Sequence, residues 1–577
     1  MKNLYYTDER SIQMLIFILK ANKIKKIVAS PGATNVTFVG SIQQDDYFEI
    51  YSSVDERSAA YMACGLAAES GEPVVLSCTG ATASRNYAPG LTEAYYRKLP
   101  VLAVTSSQRV NRVGHMIAQV IDRSTQMNDL VNLSVQVSAT TNQDDEWANN
   151  IKINTAVQAL KRNGGGPVHI NLETTYSSNF DVKELPPCRV IRRYTIYDKM
   201  PELPAGRICV FIGNHKKFKT DEIHCLENFC KSHNVVVIGD HTSGYKGSFF
   251  VQAALLYKQE NFLDNSRIFD LIIHIGEIYG DITPHAKQVW RVSEDGEIRD
   301  PYRTLTNVFE MPESVFFKHY TIEGKNETNE LAQIKSKLKD VQSYVSELPF
   351  SNTWIASRTA SLLPKASVLH LGILNSLRNW NLFETDDSIL GDSNTGGFGI
   401  DGVLSTALGA SLVNDKKLYF VIMGDLAFFY DMNALGNRHL GKNLRIMVIN
   451  NGRGTEFTNY NHPGAVFGEQ TSTFIAAGGH FGCQSKTLLK GYAEALGLTY
   501  LSAKDKEEYL ANVDRFVDAN IGDQSILFEV FTDSKDESDA LKTIDNIKSN
   551  FAGKSANFIK SIVSDEQKQK IKNILKI

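Results

Sequence analysis

Apolar runs bounded by glycine, proline or polar residues recur along the whole chain. In the first third they fall at 25–30 (KKIVAS), 73–80 (PVVLSCTG), 99–107 (LPVLAVTSS) and 165–173 (GGPVHINLE). In the middle they fall at 207–214 (RICVFIGN), 233–241 (HNVVVIGDH), 269–277 (FDLIIHIGE) and 287–295 (KQVWRVSED). The last third carries 367–372 (SVLHLG), 418–423 (LYFVIM), 446–449 (IMVI) and 525–531 (SILFEVF). Between them lie segments of helical character, among them 8–20, 57–70 and 329–347. Strands without strict alternation are buried on both faces, and their interleaving with helices marks parallel sheets. The pattern predicts an α/β protein of three doubly wound parallel-sheet domains, 1–186, 187–346 and 347–577, with the proline-bearing stretch ELPPCRV as the first linker. Residues 81–90 (ATASRNYAPG) read as a polar loop and 163–166 (NGGG) as a turn. The helix 57–70 is so rich in alanine and glycine that another backbone can approach it, either across a subunit interface or on its own sheet.

Length agrees with this division: 577 residues at about 150 per domain give three or four cores. A formal net charge of −4 supplies no global field for nucleic acid or for an anionic membrane, so neither is expected as a partner. The seven cysteines are scattered and form no Cys-x-x-Cys, which reads as free thiols of a reducing compartment. No stretch resembles a signal peptide or an apolar span of about 18 residues, and a cytoplasmic protein is expected. The lysine-rich carboxyl-terminal tail reads as a solvated helix.

The stretch with most chemistry is 424–451, GDLAFFYDMNALGNRHLGKNLRIMVINN. Gly424-Asp425 follows one apolar strand and Asn450-Asn451 ends another, with a helix-like segment between. In open α/β sheets ligands sit beyond the carboxyl ends of strands. A carboxylate from Asp425 and an amide oxygen from Asn451 are hard ligands suited to Mg²⁺ beside a phosphate group. Read alone, the two residues are equally well explained as helix and turn caps. Similarly, Glu56 at the start of the helix 57–70 is explained by the helix macrodipole, worth about 0.3–1 kcal/mol.

Taken together these strings resemble thiamine diphosphate (ThDP) enzymes. The family pattern implies that Asp425, Asn451 and the main-chain carbonyl of Arg453 hold Mg²⁺ on the cofactor's diphosphate. It implies that Glu56 meets the pyrimidine ring and that Ile400, in SNTGGFGIDGVLSTALGA, is the apolar wedge between the cofactor's rings. Pro31, Asn375, Gly424, Leu426, Ala427, Thr455, Glu456 and Phe457 complete the expected cofactor contacts. The three domains then become pyrimidine, middle and diphosphate domains, and the site requires two subunits, as a homodimer or a dimer of dimers. The strings SPG at 30–32, DERSA at 55–59, Gln119, Asn375-Ser376 and N-x-G-x-x-G-I-D-G resemble more narrowly the 2-succinyl-5-enolpyruvyl-6-hydroxy-3-cyclohexene-1-carboxylate synthases of menaquinone biosynthesis.

The chain departs from that pattern where those synthases use arginines for multiply anionic substrates, namely 2-oxoglutarate and isochorismate. Ala33-Thr34 and Asn394-Thr395 stand at arginine-bearing strings, and Arg378 comes early after Asn375-Ser376. An unpaired buried carboxylate costs a few kcal/mol, roughly. The expectation is therefore a ThDP/Mg²⁺ carboligase that decarboxylates a small 2-oxoacid such as pyruvate. It would transfer the acyl carbanion to an aldehyde or ketone, a sugar nucleotide being one candidate. Ala33, Thr34, His115, Arg378, Asn394, Thr395 and His462 are the expected substrate residues. Glu56, Gln119 and His480 are the expected catalytic ones, a histidine being a plausible proton shuttle. Three alternatives stand beside it: a simple 2-oxoacid decarboxylase, the menaquinone synthase itself, and a catalytically silent ThDP-binding assembly protein.

Overall fold

A computed structural model describes residues 4–259, 268–280, 284–324 and 329–547. The lysine-rich tail lies outside the described residues. The chain divides into two compact units, Met1–Lys199 with Asp295–Glu310, and Met200–Glu294 with Met311–Ile577.

The first unit is built on strands β1 (Lys26–Ala29), β2 (Glu49–Ser52), β3 (Val74–Cys78), β4 (Val101–Ser107), β5 (Leu133–Val137) and β6 (Val168–Glu173). They form one parallel sheet in the order β2-β1-β3-β4-β6-β5. Every residue of β3, β4 and β6 is buried, as the unbroken apolar runs require. A further parallel pair, β7 (Arg192–Thr195) with β13 (Leu305–Glu310), belongs to this unit. The helix Glu56–Ser70 starts where Asp55 accepts a hydrogen bond from the Ser58 amide at 2.7 Å. It stops at Gly71, whose φ of 68° suits a left-handed cap. Its Ala59, Ala60, Ala63 and Ala67 pack on the sheet. The segment expected as a polar loop at 81–90 is instead helical, Thr82–Asn86 followed by Ala88–Tyr96. Pro89 sits in the first turn of the second helix, where its missing N–H costs nothing.

The second unit holds two sheets. Strands β8 (Ile208–Ile212), β9 (Val235–Gly239), β10 (Phe250–Gln252), β11 (Ile268–Ile275) and β12 (His285–Ser293) run in the order β10-β9-β8-β11-β12. The other sheet contains β14 (Val368–Leu371), β15 (Leu390–Asp392), β16 (Tyr419–Gly424), β17 (Leu444–Asn450), β18 (Thr499–Ala503) and β19 (Ile526–Phe531). All its pairings are parallel, in the order β15-β14-β16-β17-β19-β18. That is the strand order of the first sheet repeated. No helix among the described residues is long and apolar enough to cross a membrane.

Candidate functional site

At the carboxyl ends of β14, β16 and β17 the connections part to opposite sides, and a cavity of about 740 Å³ opens between them. Asp425 enters it as the first residue of the helix Asp425–Asp431 and is only 3% exposed. The backbone amides of Asp425, Leu426, Asn451 and Gly452 near its carboxylate favour the charged form. These donors fall short of the water the group has lost, and burial pushes its pKa up to about 7. Asn451 follows β17 into the same cavity, and its Oδ1 is buried without a hydrogen-bond partner. A desolvated carboxylate beside an orphaned amide oxygen fits a hard cation, which would repair both defects. The Arg453 guanidinium is drawn to Ser472 Oγ at 2.5 Å and to Glu469 at 3.7 Å.

The strands hold these groups in place through buried polar contacts. Asn450 Nδ2 donates to Glu529 Oε1 at 2.6 Å and Tyr500 Oη donates to Glu529 Oε2 at 2.7 Å, fixing the end of β17. Asp431 accepts from the Ser405 amide at 2.6 Å and the Ser405 hydroxyl at 2.5 Å, anchoring the helix Val403–Ser411 that follows Ile400. Ile400 lines the cavity and packs against the apolar cluster of this sheet. Four non-glycine residues on the cavity wall, Leu374, Phe398, Ala477 and Phe481, have φ between 46° and 64°. Backbone strain of about 1–3 kcal/mol per residue gathers at sites whose geometry is over-determined.

Of the residues expected from the sequence, Asn375, Ile400, Gly424, Asp425, Leu426 and Ala427 line this one cavity. So do Asn451, Arg453, Thr455, Glu456, Phe457 and the exposed His480. Arg378 and His462 line a neighbouring polar cavity instead, and Arg378 forms an ion pair with Glu456. Asn394 and Thr395 lie outside the lining of both; Asn394 Nδ2 donates to the Asp401 carbonyl at 3.2 Å and Thr395 is buried. The cavity also contains residues that were not anticipated. Glu537, on the helix Ser534–Asp545, is buried; it accepts from the Asn352 amide at 3.0 Å and from Thr532 Oγ1 at 2.7 Å, and burial lifts its pKa to about 7. An acidic residue soon after the last apolar strand is the signal that would have found it.

The remaining expected residues belong to the first unit. Glu56 is half-buried in the first turn of its helix, with Asn86 Nδ2 donating to its Oε2 at 3.3 Å. Thr34 is buried, its hydroxyl 2.6 Å from Thr79 Oγ1 and donating to the Ser106 carbonyl at 2.9 Å. Pro31, Ala33, His115 and Gln119 are exposed, and Gln119 has a φ of 63°.

Comparison with known proteins places these features. The family profile described as "Thiamine pyrophosphate enzyme, N-terminal TPP binding domain" matches residues 11–127. The chain is 30% identical over 559 residues to the 2-succinyl-5-enolpyruvyl-6-hydroxy-3-cyclohexene-1-carboxylate synthase of Bacteroides fragilis, covering 93% of this chain and 98% of that one. Identity and coverage are the same with the synthase of Bacteroides thetaiotaomicron. With the synthase of Flavobacterium johnsoniae identity is 28% over 477 residues, 77% of this chain and 84% of that one. A parallel α/β architecture, a cavity at a switch point and similarity along nearly the full length lead to one conclusion: the chain belongs to the family of thiamine diphosphate-dependent enzymes that includes these synthases.

Proposed function

We propose that the protein is a Mg²⁺- and ThDP-dependent carboligase that decarboxylates a small 2-oxoacid, pyruvate or a near relative. The resulting acyl carbanion equivalent is transferred to an aldehyde or ketone, with a sugar nucleotide among the candidate acceptors. One observation carries the substrate reading. The arginine on the cofactor cavity, Arg453, is engaged by Ser472 and Glu469, and the neighbouring Arg378 is engaged by Glu456. A multiply anionic donor and acceptor would need several such groups for bidentate pairing.

In this reading Asp425, Asn451 Oδ1 and the Arg453 carbonyl hold Mg²⁺, and Gly424 leaves room for the diphosphate because nothing stands within 4 Å of the place a Cβ would take. Ile400 supplies the apolar wedge, and Leu426, Ala427, Thr455 and Phe457 shape the walls. Glu56 of a second copy holds a proton at the pyrimidine N1′, which makes the working unit a homodimer or a dimer of dimers. When bound, ThDP supplies a thiazolium carbon that stabilises the carbanion left by decarboxylation. Gln119 and His480 are the proposed proton-handling groups beside the reacting carbonyl, with Ala33, Thr34, His115, Asn394 and Thr395 contacting substrate. The cytoplasm is the proposed location, supported by seven free cysteines.

The test is turnover. Purified protein with ThDP, Mg²⁺ and a panel of 2-oxoacids and carbonyl acceptors should release CO₂ and give a hydroxyketone identifiable by mass. An aldehyde as sole product makes the protein a decarboxylase, turnover of isochorismate with 2-oxoglutarate makes it the menaquinone synthase, and no CO₂ from any 2-oxoacid sinks the reading.

A further inference from the structure

The first unit buries a cation without a counter-ion, Arg123, whose side chain belongs to a residue only 2% exposed. Its Nη2 donates to the Ser106 carbonyl at 3.2 Å, but Nε and Nη1 have no hydrogen-bond partner and no carboxylate among the described residues forms an ion pair with it. Arg85 adds a charge of the same sign, and the Cys78 thiol stays neutral because burial pushes its pKa up to about 12. Burial draws the Arg123 pKa down, yet only to about 10, so the guanidinium is charged at neutral pH. A buried ion without a counter-ion is strongly destabilising, and an anion from outside removes that penalty.

Positions far apart in the chain converge on this group. Thr34 Oγ1 donates at 2.9 Å to the same Ser106 carbonyl. Gly80, which follows β3, carries no side chain beside the guanidinium: a Cβ there would stand 3.5 Å from Nη1 and 3.6 Å from Nη2. The same Cβ would stand 3.0 Å from the Gln119 carbonyl oxygen, so the main chain at Gln119 lies against the same spot. The segment 109–119 is exposed apart from the half-buried Val113, and little packing opposes its displacement by a ligand.

We propose that Arg123 anchors one acid group that a substrate keeps through the reaction, and that the acceptor is accordingly a 2-oxoacid. The donor's own carboxylate is excluded by its chemistry. It leaves as neutral CO₂, and an ion pair to it would stabilise the ground state more than the transition state. The acceptor's carboxylate is retained, and a guanidinium suits it. Gln119, proposed above to stand beside the reacting carbonyl, lies against the same spot, so acid group and carbonyl are neighbours in the molecule bound. In the step served, the bond between the donor's carboxylate and carbonyl carbons breaks and CO₂ departs. The electron pair left behind forms the bond to the acceptor's carbonyl carbon, and the acceptor's carbonyl oxygen takes up a proton, giving a 2-hydroxy-3-oxoacid. The word acceptor rests on the carboligase reading; the anion binding does not.

The experiment is calorimetric titration of the full chain loaded with ThDP and Mg²⁺, with lactate and lactamide as unreactive probes of nearly equal size that differ in charge. Lactate should bind about 10-fold more tightly than lactamide, and Arg123→Gln, which removes the charge and keeps a hydrogen-bonding group, should abolish the preference. With pyruvate as donor, the ratio of kcat/KM for 2-oxobutyrate to that for propanal as acceptor should fall about 100-fold in Arg123→Gln and less in Arg123→Lys. A readout besides activity separates this from a structural role: because the charge is unpaired, Arg123→Gln should not lower the Tm of the anion-free protein, whereas lactate should raise the Tm of the native chain alone. Equal binding of the two probes, a preference that survives Arg123→Gln, or a variant that melts earlier or does not fold overturns the inference. Charge-selective binding without CO₂ release from any 2-oxoacid overturns the carboligase reading and leaves the anion site standing. CO₂ release and carboligation with both probes bound equally does the reverse.

Discussion

The first and last sheets share one strand order, yet their switch points are built in opposite ways. Between β14 and β16 the chain leaves open space: nothing stands within 4 Å of a Cβ on Gly424, and a cavity holds Asp425 and Asn451. Between β1 and β3 the loops close on each other. A Cβ on Gly32 would stand 2.3 Å from Thr79 Cβ, and the Thr34 and Thr79 hydroxyls are 2.6 Å apart. Topology therefore fixes where a ligand can be placed, while side-chain volume decides whether the place exists. The open end shows the unmet needs of a binding site, a desolvated carboxylate and an orphaned amide. The closed end pairs the Thr34 and Thr79 hydroxyls with each other, and Glu56 begins a helix of the same unit.

If the two ends divide the work in this way, their variants separate cleanly. Glu56→Ala should leave cofactor affinity intact in calorimetry and slow exchange of the bound cofactor's C2 proton by about 10²–10⁴-fold, the worth of general acid–base help. Unchanged exchange would falsify the role given to the closed end. Asp425→Ala should do the converse, lowering Mg²⁺-dependent ThDP affinity by roughly 10²-fold, since even outer-shell losses at metal sites cost 10–100-fold. Full affinity in that variant would move the metal elsewhere.

A smaller effect follows from Glu537, which lines the open end and whose pKa is lifted to about 7 by burial. In the unfolded chain this carboxyl ionises near 4.5. Between those values the folded state holds more protons than the unfolded one, so this group's contribution to stability falls as pH rises through that window. The loss is on the order of a few kcal/mol when complete. Thermal unfolding of the cofactor-free protein from pH 5 to pH 8 should show a steeper decline in Tm for the native chain than for Glu537→Gln. Parallel profiles would mean that Glu537 is solvated.

How much of this was legible in the sequence depended on burial. The central strands β3, β4, β16, β17 and β19 are almost wholly buried, so their sequences are continuous apolar runs. The edge strands β2, β5, β15 and β18 were not assigned from the sequence, because a half-buried edge needs no such run. The cavity at the ends of β16 and β17 was readable because Asp425 and Asn451 follow directly on two central strands. Glu537 was not, since its one signal, a place soon after the last apolar strand, is shared by any solvated first-turn acid, and only packing shows that it is buried. Arg378 and His462 were expected among the substrate residues, and only packing shows that they line a different cavity from Asp425 and Asn451. The loop at 81–90 failed as a loop because short helices need little periodicity and Pro89 at a first turn looks the same as Pro in a turn.

The comparison is sharpened most finely by two glycines. Gly32→Ala places a methyl against the Thr79 side chain inside a closed switch point, where the neighbours are β-branched and held by hydrogen bonds. Overpacking of that kind costs about 1–3 kcal/mol, and denaturant unfolding should register it. Gly424→Ala places the same methyl in open space at a backbone with φ of −75°, which any residue adopts. Its stability should change by no more than about 0.5 kcal/mol, while ThDP affinity falls because the methyl occupies room the diphosphate needs. Equal destabilisation by both substitutions would mean that the open end closes in solution as the first sheet does. Unchanged ThDP affinity in Gly424→Ala would place the diphosphate elsewhere in the cavity.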